Sequence, residues 1–218
     1  MTTFDLHLKR HQLLRLFPAA WDALQESHLD LSVRPWLGEW ARHGWPLIVR
    51  RPLPGEASRV PVGLPLPPSE GKRRIALQVH FADIASVAPL PRISDVMGVA
   101  PQSWRPTLRQ LVELAQKYQV RCGVFGSLAW QRLTGLTYVG LGSDLDIVWT
   151  LPHRALITQF FANVAEIESH APMRFDGELR REDGACVSWR ELRSGAAELA
   201  VKTMTDVRLR SVVDFIGP

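Results

Sequence analysis

Cysteine is scarce in this chain: two among 218 residues, Cys122 and Cys186, each inside an apolar, strand-like run. A disulfide framework does not fit that count and length, and the expectation is a pair of buried free thiols in a reducing compartment. Long hydrophobic runs are also absent. No stretch approaches the roughly 20 apolar residues of a membrane span, and the first ten residues lack the apolar core of a secretory signal. A soluble, cytoplasmic protein with no membrane partner is expected. Internal repeats and low-complexity tracts are missing. So are several common signatures. Glu70-Gly-Lys-Arg73 has neither the leading glycine nor the Ser/Thr of a Walker phosphate loop, and neither a dinucleotide fingerprint nor a Gly-x-Ser-x-Gly elbow occurs. No basic run with interleaved aromatics appears, which argues against a nucleic-acid partner. His7 and His11 are four apart but have no third ligand beside them, so no metal site is expected there.

What is present is ordinary globular composition, 46% hydrophobic and 22% charged, with a net charge of +4. A basic excess suits an anionic partner. Proline and tryptophan concentrate in the first half, which is expected to form a small N-terminal α/β domain, residues 1–90. There, His11 to Leu24 has mixed helical character interrupted by Pro18. Pro46–Arg51 and Lys72–His80 read as strands that pair in an antiparallel unit. Residues 52–71 hold six prolines and three glycines and read as turn or loop; residues 87–106 read as a proline-rich connection.

The second half, residues 91–218, is expected to be the catalytic domain. Leu108, Leu111, Val112 and Ala115 follow helical spacing. A strand over Val120–Phe125, a helix over Ser127–Leu136, a strand over Ser143–Thr150 and a helix over His153–Glu168 follow. Met173–Arg180 and Ala185–Leu192 alternate like strands, and Ser194–Val213 reads as helical pieces. The order implies an α+β or α/β fold, a mixed sheet with flanking helices.

The most informative pattern is Gly126-Ser127, which ends one apolar run, and Ser143-Asp-Leu-Asp146, which opens another. Strand side chains alternate with period two, so Asp144 and Asp146 share a face while Leu145 and Ile147 take the other. Two carboxylates on one strand face repel unless a cation lies between them. Hard divalent cations take such oxygen ligands, and Mg²⁺ usually adds substrate phosphates to one or two carboxylates. Mg²⁺ or Mn²⁺ held by Asp144 and Asp146 is therefore expected. The Gly126-Ser127 turn at a helix start offers N–H groups and a hydroxyl to phosphate oxygens.

A third carboxylate, as base or ligand, is expected from a neighbouring strand. Asp176 is the first choice, Glu178 the second and Glu191 a weaker third; strand period alone does not separate Asp176 from Glu178. Lys202, in an apolar context, is the best candidate for a phosphate-binding cation, ahead of Arg132, Arg180 and Arg193. Trp130 and Trp149 flank the site in sequence and read either as core or as a base-stacking pair. Together the parts describe metal-dependent phosphoryl or nucleotidyl transfer. A nucleic-acid-binding module with structural aspartates is the alternative from another class.

Gly126-Ser127 with Asp144-x-Asp146 resembles the nucleotidyltransferase superfamily signature. The longer strings are more particular: Phe125-Gly-Ser-Leu-Ala-Trp-Gln131, Leu133-Thr-Gly-Leu136, Arg42-His-Gly-Trp-Pro46, Pro61-Val-Gly-Leu64 and Phe175-Asp-Gly-Glu178. Together they resemble the phosphoribosyl-dephospho-CoA transferase family, the holo-acyl-carrier-protein synthases of malonate decarboxylase, across both halves of the chain. The resemblance implies transfer of the phosphoribosyl-dephospho-CoA group from triphosphoribosyl-dephospho-CoA to a serine of the acyl carrier subunit, with loss of pyrophosphate. It implies that Asp144 and Asp146 are the essential strand aspartates. Another ATP-using nucleotidyltransferase activity is the alternative within the same fold. The long gap between Ser127 and Asp144 departs from the superfamily pattern; residues 134–142, with Gly135, Gly140 and Gly142, are expected to form a mobile loop over the substrate.

Overall fold

The structure is a computed structural model that describes residues 8–56 and 58–217. His7 and most of the stretch inspected for a secretory signal lie outside the described residues. The chain separates into two compact units, Met1–Pro89 and Leu90–Pro218. No helix among the described residues is long and apolar enough to cross a membrane.

The first unit is built on a five-stranded antiparallel sheet of order β4-β3-β2-β1-β5. Its strands are β1 (Leu13–Leu16), β2 (Leu47–Val49), β3 (Val60–Pro65), β4 (Arg74–Val79) and β5 (Ile84–Ala88). Helices α1 (Pro18–Ser27) and α2 (Leu29–Ser32) follow β1. Pro18 starts α1 rather than interrupting a helix: at the first helical position its missing N–H costs nothing and its fixed φ suits the helix. The unit's tryptophans are structural. Trp21 and Trp40 are buried, and their indole N–H groups donate to the Leu37 and Pro46 carbonyls at 2.8 and 3.2 Å.

Strand β3 corrects the expectation of a loop across residues 52–71. It lies between β2 and β4, although it carries Pro61 and Pro65, and prolines normally belong at sheet edges. The register explains the exception. In a strand the N–H and C=O of one residue point to the same neighbour. Pro61 accepts from the Arg50 N–H at 3.1 Å, so its missing N–H faces β2 one residue beyond the end of β2. The Arg50 guanidinium braces the neighbouring β3–β4 pair, donating to the Val62 and Leu77 carbonyls, and is held by Glu56. β4 accordingly pairs with β3, not directly with β2.

The second unit holds a six-stranded sheet of order β11-β10-β9-β8-β7-β6. The strands are β6 (Cys122–Val124), β7 (Leu145–Thr150), β8 (Phe175–Arg180), β9 (Cys186–Ser188), β10 (Glu198–Lys202) and β11 (Val207–Ser211). Only β7 and β8 pair in parallel, and their connection carries α6 (Ile157–Ser169). The other helices are α3 (Ile93–Val96), α4 (Arg105–Lys117), α5 (Gly126–Thr134), α7 (Trp189–Arg193) and α8 (Val212–Ile216). Helices, a mostly antiparallel sheet and one parallel pair make the fold α+β.

One face of this sheet forms the core. Leu145, Ile147, Trp149, Phe175, Leu179, Val187 and Leu199 join Leu108 and Leu111 of α4 and Phe160 and Val164 of α6 in one buried cluster. Gly177 lies on the same face because Trp189 occupies its side-chain space: a Cβ there would fall 2.7 Å from the indole Cδ1. The two cysteines are free and buried, and burial pushes the Cys122 thiol well above its ordinary pKa. Two expectations fail at the C-terminal end. Ala185–Leu192 is strand only to Ser188, and Trp189 opens α7. Most of residues 194–213 form the β10–β11 hairpin instead of helices, and α8 starts only at Val212; Leu199 and Val201 turn to the core and Glu198, Ala200 and Lys202 to the other face.

Candidate active site

The parallel register sets Asp146 opposite Asp176 and Val148 opposite Glu178. Period two therefore gathers Asp146, Asp176, Glu178 and, across β9, Lys202 on the face away from the helical core. Asp144 stands just before β7. The backbone there is tied to the start of β8 by the Leu145 N–H, which donates to the Arg174 carbonyl at 2.8 Å.

The Gly126-Ser127 turn meets the acids directly. The Phe125 N–H donates to the Asp146 carbonyl at 3.0 Å. Gly126 heads α5 with φ at +63°, and a Cβ built on it would fall 1.8 Å from Asp146 Oδ2. Only glycine lets the backbone turn this way and approach the carboxylate so closely. The long sequence gap after Ser127 thus closes in space, and Ser127 lies in the first turn of α5, beside Asp146's neighbour. At that end of a helix, N–H groups lack intrahelical partners and favour anions.

Residues 134–142 are not loose along their length. The Gln131 side chain accepts from the Tyr138 and Val139 N–H groups at 3.2 and 3.1 Å and donates to the Val99 carbonyl at 2.7 Å. Tyr138 is buried, while Gly135, Thr137 and the tip, Gly140 to Gly142, are exposed.

Asp176 is exposed. Glu178 is buried, and the Lys202 ammonium donates to its Oε1 at 2.9 Å. A different cation, Arg174, bonds one of the strand aspartates: its Nη2 donates to Asp144 Oδ2 at 2.6 Å. That hydrogen bond and the Asp144 charge raise the Arg174 pKa, with smaller contributions from Asp176 and Glu168. The residue after Arg174 is clamped from two elements. The Phe175 N–H donates to Glu168 of α6 at 2.8 Å, its carbonyl accepts from Arg190 of α7 at 3.0 Å, and Arg190 also pairs with Glu168. Arg174 went unread in the sequence, although it stands two residues before Asp176 and period two places it on the same face. Glu168 and Arg190 left no local signal, since each acts across elements.

Arg132 bonds the Asp95 carbonyl, and Arg193 lies over the Trp189 ring. Trp130 and Trp149 are buried, Trp149 edge-on to Phe160 in the core, so the core reading holds for both.

A family model described as the phosphoribosyl-dephospho-CoA transferase MdcG C-terminal domain matches residues 90–212, and its N-terminal counterpart matches residues 9–89. The chain belongs to the phosphoribosyl-dephospho-CoA transferase family. It is 47% identical over 208 residues to the phosphoribosyl-dephospho-CoA transferase of Bradyrhizobium diazoefficiens, an alignment that covers 95% of this chain and 92% of the relative. The Xanthomonas axonopodis pv. citri protein of that name is 39% identical, with 92% of each chain covered. The Klebsiella pneumoniae protein is 28% identical, covering 84% and 88%. No solved structure matches the chain significantly. Family membership makes this chain a transferase. The site above lies wholly within the part matched by the C-terminal family model.

Proposed function

We propose that this chain transfers the phosphoribosyl-dephospho-CoA group from triphosphoribosyl-dephospho-CoA to a serine of the apo acyl carrier subunit of malonate decarboxylase, in the cytoplasm, with release of pyrophosphate. The observation that carries the reading is the contact of Gly126 with the Asp146 carboxylate. It joins a phosphate-accepting helix start to a strand pair bearing Asp144, Asp146 and Asp176.

The chemistry is a nucleotidyl-type transfer. The serine Oγ forms a bond to the α-phosphorus as the bond from that phosphorus to the pyrophosphate oxygen breaks. Asp176, exposed and in register with Asp146, is the base that takes the serine proton. Glu178 is already engaged by Lys202, which supports Asp176 over Glu178 for this role. Lys202 then acts on substrate only indirectly, by keeping Glu178 neutralised. Gly126 and Ser127 hold phosphate oxygens at the start of α5.

The donor set suits a magnesium or manganese ion. Asp144 and Asp146 would hold it through their carboxylate oxygens, as Mg²⁺ commonly takes one or two carboxylates beside substrate phosphates. Among the described residues no three His, Cys, Asp or Glu side chains form a metal group. When bound, such a cation neutralises the phosphates and stabilises the departing pyrophosphate. The positive net charge of +4 suits an acidic carrier.

Incubation of the protein with Mg²⁺, triphosphoribosyl-dephospho-CoA and the apo carrier subunit should add the mass of the prosthetic group to the carrier and release pyrophosphate. An unmodified carrier, or transfer of an adenylyl group from ATP instead, would reject the reading.

A further inference from the structure

Arg174 takes no part in the chemistry just described, yet its guanidinium bonds Asp144 directly, at 2.6 Å. Its backbone position is fixed. The Arg174 carbonyl accepts from the Leu145 N–H, and the next residue is clamped by Glu168 and Arg190. Its side chain is not fixed in the same way. The guanidinium is 67% exposed, the Asp144 side chain 33%. An ion pair this open to water contributes little to stability, so it exchanges readily for a stronger partner. The pair also uses one of the two Asp144 oxygens, Oδ2.

We propose that Arg174 is a phosphate-binding residue held in reserve. In the free protein it is the countercharge of the Asp144–Asp146–Asp176 face. When the cation and the triphosphate arrive, it releases Asp144 and turns its fork to the phosphate oxygens. The inference rests on the reading of Asp144 as a cation ligand. Two physical arguments support it. A guanidinium and a divalent cation repel each other and draw on the same carboxylate charge, so a cation on Asp144 weakens its pair with Arg174. The planar five-donor fork of arginine then matches phosphate as well as it matched the carboxylate.

The proposal predicts effects of opposite sign on two ligands. Mn²⁺ binding is measured by the loss of its free paramagnetic signal, and binding of inorganic tripolyphosphate in the presence of Mg²⁺ by calorimetry. Arg174→Ala should bind Mn²⁺ alone about tenfold more tightly, because a competing cation is gone. It should bind tripolyphosphate with Mg²⁺ about tenfold more weakly, because a charged fork is gone. Arg174→Lys should fall between Arg174→Ala and the wild type on both. Unchanged affinities, or a shift of both in one direction, overturn the proposal. Asp144→Asn separates the two levels of the argument. If it abolishes Mn²⁺ binding while Arg174→Ala changes nothing, the cation site stands and the role of Arg174 falls. If Asp144→Asn binds Mn²⁺ like the wild type, both fall.

Discussion

The two faces of the six-stranded sheet are made by the same strands and do opposite work. On β7, Leu145, Ile147 and Trp149 are almost wholly buried, while Asp146 between them is not. On β8, Phe175 and Leu179 are fully buried and Asp176 is exposed. Moving one residue along the chain changes the side chain's task from packing to charge. A parallel pair brings this alternation into register, so that two core faces stack on α4 and α6 while two aspartates face outward together. The acids are tolerable there because their strands are held from behind by an apolar core that needs nothing from them.

If that division is right, substitutions on the two faces should separate stability from transfer. The largest effect on stability belongs to the core face. Phe175→Ala removes a fully buried ring and should cost about 3–5 kcal/mol, read as a large fall in melting temperature. Transfer would be lost only in proportion to unfolded protein. A melting temperature close to wild type would show that the helical side of the sheet is not the core that the burial implies.

The next effect sharpens the comparison within the outward face. Asp176→Asn should lower the transfer rate by about 10²–10⁴-fold, the usual range for loss of a general base, with little change in melting. Glu178→Gln should do the reverse. It weakens the buried partner of Lys202 and should cost about 1–3 kcal/mol of stability, while its effect on rate stays well below that of Asp176→Asn. If Glu178→Gln is the more damaging to rate, the two roles must be exchanged.

Much of this arrangement was legible before the fold was known. The β8 segment declares itself by alternation, and β7 by an apolar run that Asp144 and Asp146 enter two residues apart. The Gly126 turn declares itself by ending an apolar run, and α4 and α6 by helical spacing. What was not legible had physical reasons. Pro61 sits inside a sheet because β2 stops short of it, a tertiary arrangement that no local rule anticipates. The β10–β11 hairpin was mistaken for helix because Leu199-Ala-Val-Lys-Thr-Met204 is short and apolar, and such runs fit either period. Its pairing with β9, not its composition, decides the matter. Asp176 and Glu178 were inseparable by period. Burial and the Lys202 contact distinguish them. Arg174 could have been found, since it has the same parity as Asp176, but a lone arginine ahead of a strand carries no signal until its carboxylate partner is seen.

Asp146→Asn tests the central claim most directly, that the strand aspartates of the outward face serve chemistry and not folding. The substitution keeps the shape beside Gly126 and removes the charge. One preparation should be assayed for both melting and mass transfer to the carrier subunit. The account predicts stability within about 1 kcal/mol of wild type, since relief of carboxylate repulsion offsets any lost contact, together with no detectable modification of the carrier. Modification at the wild-type rate, or a loss of stability as large as that of Phe175→Ala, would contradict it.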